Sequence, residues 1–149
     1  MDAYLASLAK LCLTLSGIEN FFTGNVPQEF RIPALYFPPP EETPEAWSMG
    51  GYAVSYAVYA KVFAATREDA LSFADAISRG IMARRRLVPL LAPDGTKTGE
   101  AFKTGPPEAR IIDEGVAQVL LSYRLIRPYT EEEAEKIKKI YIREEVNGF

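Results

Sequence analysis

Residues 52–65 read YAVSYAVYAKVFAA. Aromatic, β-branched and small apolar side chains alternate there with a period of two, which is the pattern of a β-strand. Tyr52, Val54, Tyr56, Val58, Ala60, Val62 and Ala64 fall on one face, and Ala53, Ser55, Ala57, Tyr59, Lys61 and Phe63 fall on the other. Both faces are apolar enough to need cover, one of them from another subunit. At about 3.3 Å per residue the strand would run to more than roughly 40 Å. That is long for a small domain, so a bend or bulge is expected.

Downstream, Thr66 is placed to cap a helix, with Glu68 and Asp69 in its first turn opposing the positive end of the helix dipole. Ala70, Phe73, Ala74, Ile77 and Ile81 form its apolar stripe, and Arg79, Arg84, Arg85 and Arg86 gather at its C-terminal end. Leu87–Leu91 is a short apolar run broken by Pro89, and Pro93-Asp94-Gly95-Thr96 has turn chemistry. A strand is expected around Ala109–Ile112, then a turn at Asp113-Glu114-Gly115, then a strand over Val116–Ile126. In that last strand Ala117, Val119, Leu121, Tyr123 and Leu125 face one way, and Gln118, Ser122 and Arg124 the other. A capping box at Thr130-Glu131-Glu132-Glu133 predicts a closing helix.

Upstream, Leu5, Leu8, Cys12 and Leu15 recur at helical spacing over Asp2–Ser16, and Gly17 is a plausible stop. Residues 16–33 read as a mixed loop with aromatics. Ala34–Phe37 is a short edge strand, which Pro38, Pro39 and Pro40 end because proline cannot donate to a ladder. EETPEAWSMGG (41–51) then reads as an exposed loop, carried outward by the prolines as a stiff arm. The element order implies one α+β domain over residues 1–149, with a mainly antiparallel sheet and helices packed on one face.

Composition narrows the function classes. The 149 residues contain no histidine, which removes Ser-His-Asp and Cys-His catalysis and the usual zinc sites. Cys12 is the single cysteine, so no intramolecular disulfide can form, and a small core residue is expected there. A net charge of −3 gives no footprint for general nucleic-acid binding. The apolar N-terminal run carries Asp2 and Lys10, unlike a signal peptide, and is short for a membrane span.

No Gly-rich phosphate loop and no G-x-S-x-G elbow is present. Glu41, Glu42 and Glu45 cluster, but in a loop with Pro44, where solvation explains them better than a metal does. Asp113 and Glu114 fit a turn better than an acid pair. Arg84-Arg85-Arg86, with Lys97 and Lys103 further on, could meet phosphate, although a solvated helix end explains them more simply. Trp47 is either a cap on the core or a contact anchor. No catalytic, cofactor-binding or metal-binding residue emerges, and the chain is expected not to be an enzyme. The residues assigned to a subunit or partner interface are Pro38, Pro39, Pro40, Trp47, Tyr52, Tyr56, Arg84, Arg85 and Arg86.

Several of these segments together resemble a known family. NVPQEFRIPALYF (25–37), YAVSYAVYAKVFA (52–64), REDALSFADAISRGIMARRRLVPLL (67–91), LVPLLAPDGTKTGEAF (87–102) and ARIIDEGVAQVLLSYRLIRPY (109–129) are similar to the tail terminator, or tail completion, proteins of long-tailed bacteriophages and prophages. The resemblance covers Val26–Tyr129. It implies a small α+β subunit that assembles into a ring, commonly a hexamer, on the end of the tail tube. Such a ring stops tube polymerisation and presents a surface to the head–tail connector protein. The implied partners are further copies of the chain, the tail tube protein and the connector. No membrane is involved, no cofactor is implied, and DNA at most passes through the ring. The implied location is the host bacterial cytoplasm during assembly, then the virion tail or neck. Another neck or head–tail joining protein, or a small-ligand-binding α+β domain, are the alternative readings.

Overall fold

Helix α1 (Ala3–Ser16) opens the computed structural model, which describes residues 2–130, and is followed by strands β1 (Asn20–Thr23), β2 (Ala34–Phe37), β3 (Glu41–Ser48) and β4 (Gly51–Phe63). Helix α2 (Arg67–Ala83) comes next, and then β5 (Leu87–Leu91), β6 (Lys97–Lys103), β7 (Glu108–Asp113) and β8 (Val116–Pro128). The six-stranded sheet has the order β1-β2-β4-β8-β7, with β3 also paired to β4, and β5 and β6 form a separate two-stranded sheet. The fold is α+β with a mainly antiparallel sheet and the helices on one face; the β1–β2 pair is the parallel exception. The described chain divides into two compact units, one of residues 2–41 and 56–123, the other of residues 42–55 and 124–130.

In the larger unit, α1 begins where the Asp2 carboxylate accepts the Leu5 amide at 2.7 Å, satisfying one of the first-turn donors that have no partner within the helix. It ends at Gly17, whose φ of 76° suits the left-handed cap and whose N–H reaches the Leu13 carbonyl. Leu5, Leu8, Leu11 and Cys12 are buried along one stripe. Thr66 caps α2 through the Asp69 amide, and Ala70, Ala74, Ile77 and Ile81 form its buried stripe. Phe73, which the helical spacing also placed on that stripe, is only half-buried.

The strand alternation holds from Val54 onward; before it the phase slips, since Ala53 is buried and Tyr52 only half-buried. Tyr56, Val58, Ala60 and Val62 of β4 and Ala117, Val119, Leu121 and Tyr123 of β8 are buried on the sheet's core face. Leu35 and Phe37 of β2 join them. Burying each of the larger apolar side chains contributes about 1.5–3 kcal/mol. The opposite face of β4 (Ala57, Tyr59, Lys61, Phe63) is half-buried. Part of its cover comes from Phe30, whose ring lies 5.1 Å from Phe63 and 5.2 Å from Phe22.

Three expectations need correction. Residues 16–33 are not all loop, because Asn20–Thr23 forms β1, which pairs in parallel with Ala34–Phe37. Strand β2 therefore lies between β1 and β4 and is not an edge. Residues 41–51 are not a free arm, since Glu41–Ser48 is a strand paired with β4, and Pro38–Pro40 lead straight into it. Every residue of β3 is exposed, so nothing forced an apolar alternation on it. An edge position also tolerates Pro44. The closing helix expected after Thr130 lies outside the described residues.

Candidate functional site

Two surface regions hold most of the assigned interface residues. The first is in the smaller unit. On β3, Glu45 accepts a hydrogen bond from Ser55 Oγ at 2.9 Å through one carboxylate oxygen. Its other oxygen lies 3.0 Å from Arg124 Nη2. The Arg124 guanidinium in turn lies over the Trp47 ring, 4.9 Å from its centroid. This chain of contacts fixes the orientation of an indole that remains 54% exposed. Met49 at 49% and Ile126 at 50% add apolar surface to the same unit. Tyr52 is half-buried, with its ring 5.7 Å from that of Tyr129.

Gly51 marks a close approach in this unit, since a Cβ there would meet the Arg127 carbonyl oxygen at 2.7 Å. The Glu45–Arg124 pair is missing from the sequence reading. Its partners are 79 positions apart, and only the strand pairing brings them together. Arg124 was placed on the polar face of its strand, but nothing local named Glu45 as its partner.

The second region, in the larger unit, is the turn after α2. Arg84 caps the helix, and Arg85 and Arg86 both adopt left-handed backbone angles, φ 59° and 61°. Two successive non-glycine residues in this region are uncommon and cost roughly 1–2 kcal/mol each. Hydrogen bonds hold them there. Arg85 N donates to Met82 O at 3.0 Å, Arg86 N to Ile81 O at 2.9 Å, and Thr104 N to Arg86 O at 2.8 Å. Arg86 Nη1 donates to Thr104 O at 3.1 Å. Arg84 and Arg85 are exposed, while Arg86 is half-buried by this exchange.

The remaining assigned residues lie elsewhere in the larger unit. Tyr56 is 5% exposed and stacks on Tyr123 at 4.9 Å, within an aromatic group that also includes Tyr4 and Phe102. Its place is the core. Pro39 and Pro40 border a shallow cavity of about 260 Å³ with Asp2, Leu5 and Phe37. Cys12 is fully buried, which pushes its thiol up to about 12. Among the described residues no group of three or more His, Cys, Asp or Glu is arranged to hold a metal ion. No described helix is long and apolar enough to cross a membrane.

Comparison with known proteins points in one direction. The chain is 29% identical over 102 residues to phage-like element PBSX protein XkdJ of Bacillus subtilis (strain 168), covering 68% of this chain and 70% of that protein. This is a relative of a phage-element protein. A second similarity, 27% over 99 residues, is to the uncharacterised protein YqbJ of the same organism, covering 66% of this chain and 68% of that one. No family profile matches.

Proposed function

We propose that this protein is a structural component of a phage or prophage tail, of the tail terminator kind: a subunit of a ring that caps the tail tube, stops its growth and offers a surface to the head connector. The observation that carries the reading is β3, exposed along its whole length, with Trp47 held outward by Arg124 and Glu45. An exposed edge strand presents backbone groups with which another chain can pair. The similarity to a phage-element protein and the segments that resemble tail terminators support the same reading.

A ring is a closed head-to-tail assembly, so each subunit needs two different complementary patches. The Trp47 edge is one. The β5–β6 hairpin is the other. Apolar burial at Trp47 and Met49 would supply affinity, and the charges beside them would supply register.

Deleting the gene from an inducible prophage and imaging the particles tests this. Abnormally long tails without heads are expected. Tails of normal length without heads would move the role to a different neck protein, and normal virions would reject both. Light scattering on the purified chain with tail tubes should show a ring mass, and a strictly monomeric species would rule the ring out.

A further inference from the structure

The larger unit contains a concavity lined in part by the β5–β6 hairpin, the element that the ring reading takes as a subunit contact. It is a cavity of about 220 Å³ bordered by α1, the turn after α2 and the β5–β6 hairpin, and Lys10, Arg84 and Lys97 all line it. We propose that this cavity binds a phosphoryl group.

The charge arrangement is the main argument. The three cations come from well-separated parts of a chain whose net charge is −3, yet no carboxylate lines the cavity. Among the described residues none of the three is ion-paired. Like charges gathered in one concavity repel, and an anion placed among them relieves that repulsion. The favourable position of a cation at a helix C-terminus explains Arg84 but not Lys10, in mid-helix, nor Lys97, on β6. The acid in the adjoining turn, Asp94, is directed elsewhere. It accepts from Thr96 Oγ1 at 2.6 Å and Thr96 N at 3.0 Å, and these bonds hold its carboxyl below the usual range.

The backbone gives a second argument. The turn that follows Arg84 holds Arg85 and Arg86 at left-handed angles, at a cost that a glycine would have avoided. Strain of this kind concentrates at functional sites. The hydroxyls at the cavity are already used: Thr14 Oγ1 donates to Lys10 O at 2.9 Å, and Ser7 Oγ donates to Ala3 O. The anion would therefore be held by charge. Of the remaining lining, Leu11, Pro89 and Leu91 are apolar. A volume below the roughly 300 Å³ of the smaller drug-sized pockets suits a phosphate or pyrophosphate better than a whole nucleotide.

Phosphoryl groups could come from a free phosphate compound or from a nucleic-acid backbone, so both are tested on the full chain. Inorganic pyrophosphate is titrated by calorimetry at fixed ionic strength, and a short labelled DNA duplex by fluorescence anisotropy. The variants are K10Q/K97Q and, separately, R84Q, all at exposed positions, with folding checked by circular dichroism. The wild-type chain should bind pyrophosphate, and each variant should bind at least about tenfold more weakly, the scale of a lost charge-assisted contact. Duplex binding that is lost in the same variants would identify the source as a nucleic-acid backbone, and pyrophosphate binding without duplex binding would identify a free phosphate compound. If the wild-type chain binds neither probe, or the variants bind as well as it does, the proposal fails.

Discussion

A Cβ placed on Gly80 of α2 would lie 2.5 Å from Leu15 Cδ2 and 3.0 Å from Leu15 Cγ on α1. The two helices meet where one of them has no side chain. Replacing Gly80 by alanine gains about 1 kcal/mol of helix propensity, but crowding a packed contact costs about 1–3 kcal/mol. Gly80→Ala should therefore lower stability by about 1 kcal/mol in a denaturant titration. Removing the obstruction with Leu15→Ala should restore part of the loss, giving a favourable coupling in a double-mutant cycle. A more stable Gly80→Ala variant would show that Leu15 swings aside freely.

Gly115 and Gly95 both have positive φ, 70° and 86°, but only Gly115 is also crowded, with the Ala64 carbonyl oxygen 2.7 Å from where a Cβ would sit. That carbonyl cannot move easily, because the Ala64 amide donates to Gly115 O at 2.8 Å. Gly95→Ala should cost about 1 kcal/mol, and Gly115→Ala about 2–3 kcal/mol. Equal losses in thermal melts would mean that the Ala64 carbonyl moves aside.

Arg85→Gly should stabilise the fold by up to about 1 kcal/mol, because glycine adopts the left-handed angle without penalty. Arg86→Gly should be nearly neutral, since the same relief is offset by loss of the hydrogen bond to Thr104 O. A destabilised Arg85→Gly variant would contradict the assignment of strain to this turn.

Cys12 should resist thiol reagents at neutral pH in the native state and react once denaturant unfolds the chain. Its folded value, about 12, lies above the ordinary 9.0. The stability it contributes is therefore intact below 9.0 and declines as pH rises towards 12. Cys12→Ala should lose stability less steeply than the parent over that window, and parallel curves would argue against a buried thiol.

Trp47→Ala should leave the melting temperature of the isolated chain within a few degrees of the parent, since the indole is largely exposed and the Glu45–Arg124 pair is a surface one. It should reduce association with tail tubes strongly, as loss of an interface anchor does. If sedimentation shows assembly unchanged, the β3 edge is not the contact surface.

The parts of the fold that were legible in the sequence are those where one face is buried. Alternation over 52–65 and 116–126 marked β4 and β8, and the spacing of Leu5, Leu8 and Cys12 marked α1. Strand β3 was missed because all of it is exposed, so Glu41, Glu42 and Pro44 carry the composition of a loop. Strand β1 was missed because four residues are too few to show a period, and its parallel partner begins at Ala34, beyond a proline-bearing stretch. At the candidate sites, Trp47 and the arginine run stood out by composition. Lys10 did not, and Glu45 read only as one of three loop acids, because each matters only through residues that the fold brings beside it.

Ser7 Oγ on α1 accepts the Leu91 amide at 2.9 Å, across 84 positions of sequence. The β5–β6 ladder slips register between Pro89 and Leu91, so this amide completes its bonding through a helix and not through the neighbouring strand. Deuterium uptake at Leu91 should then follow the undocking of α1, while the amide of Val88, flanked by regular pairing, should follow the opening of the hairpin itself. A single backbone proton would thus serve as a gauge of whether the N-terminal helix is seated.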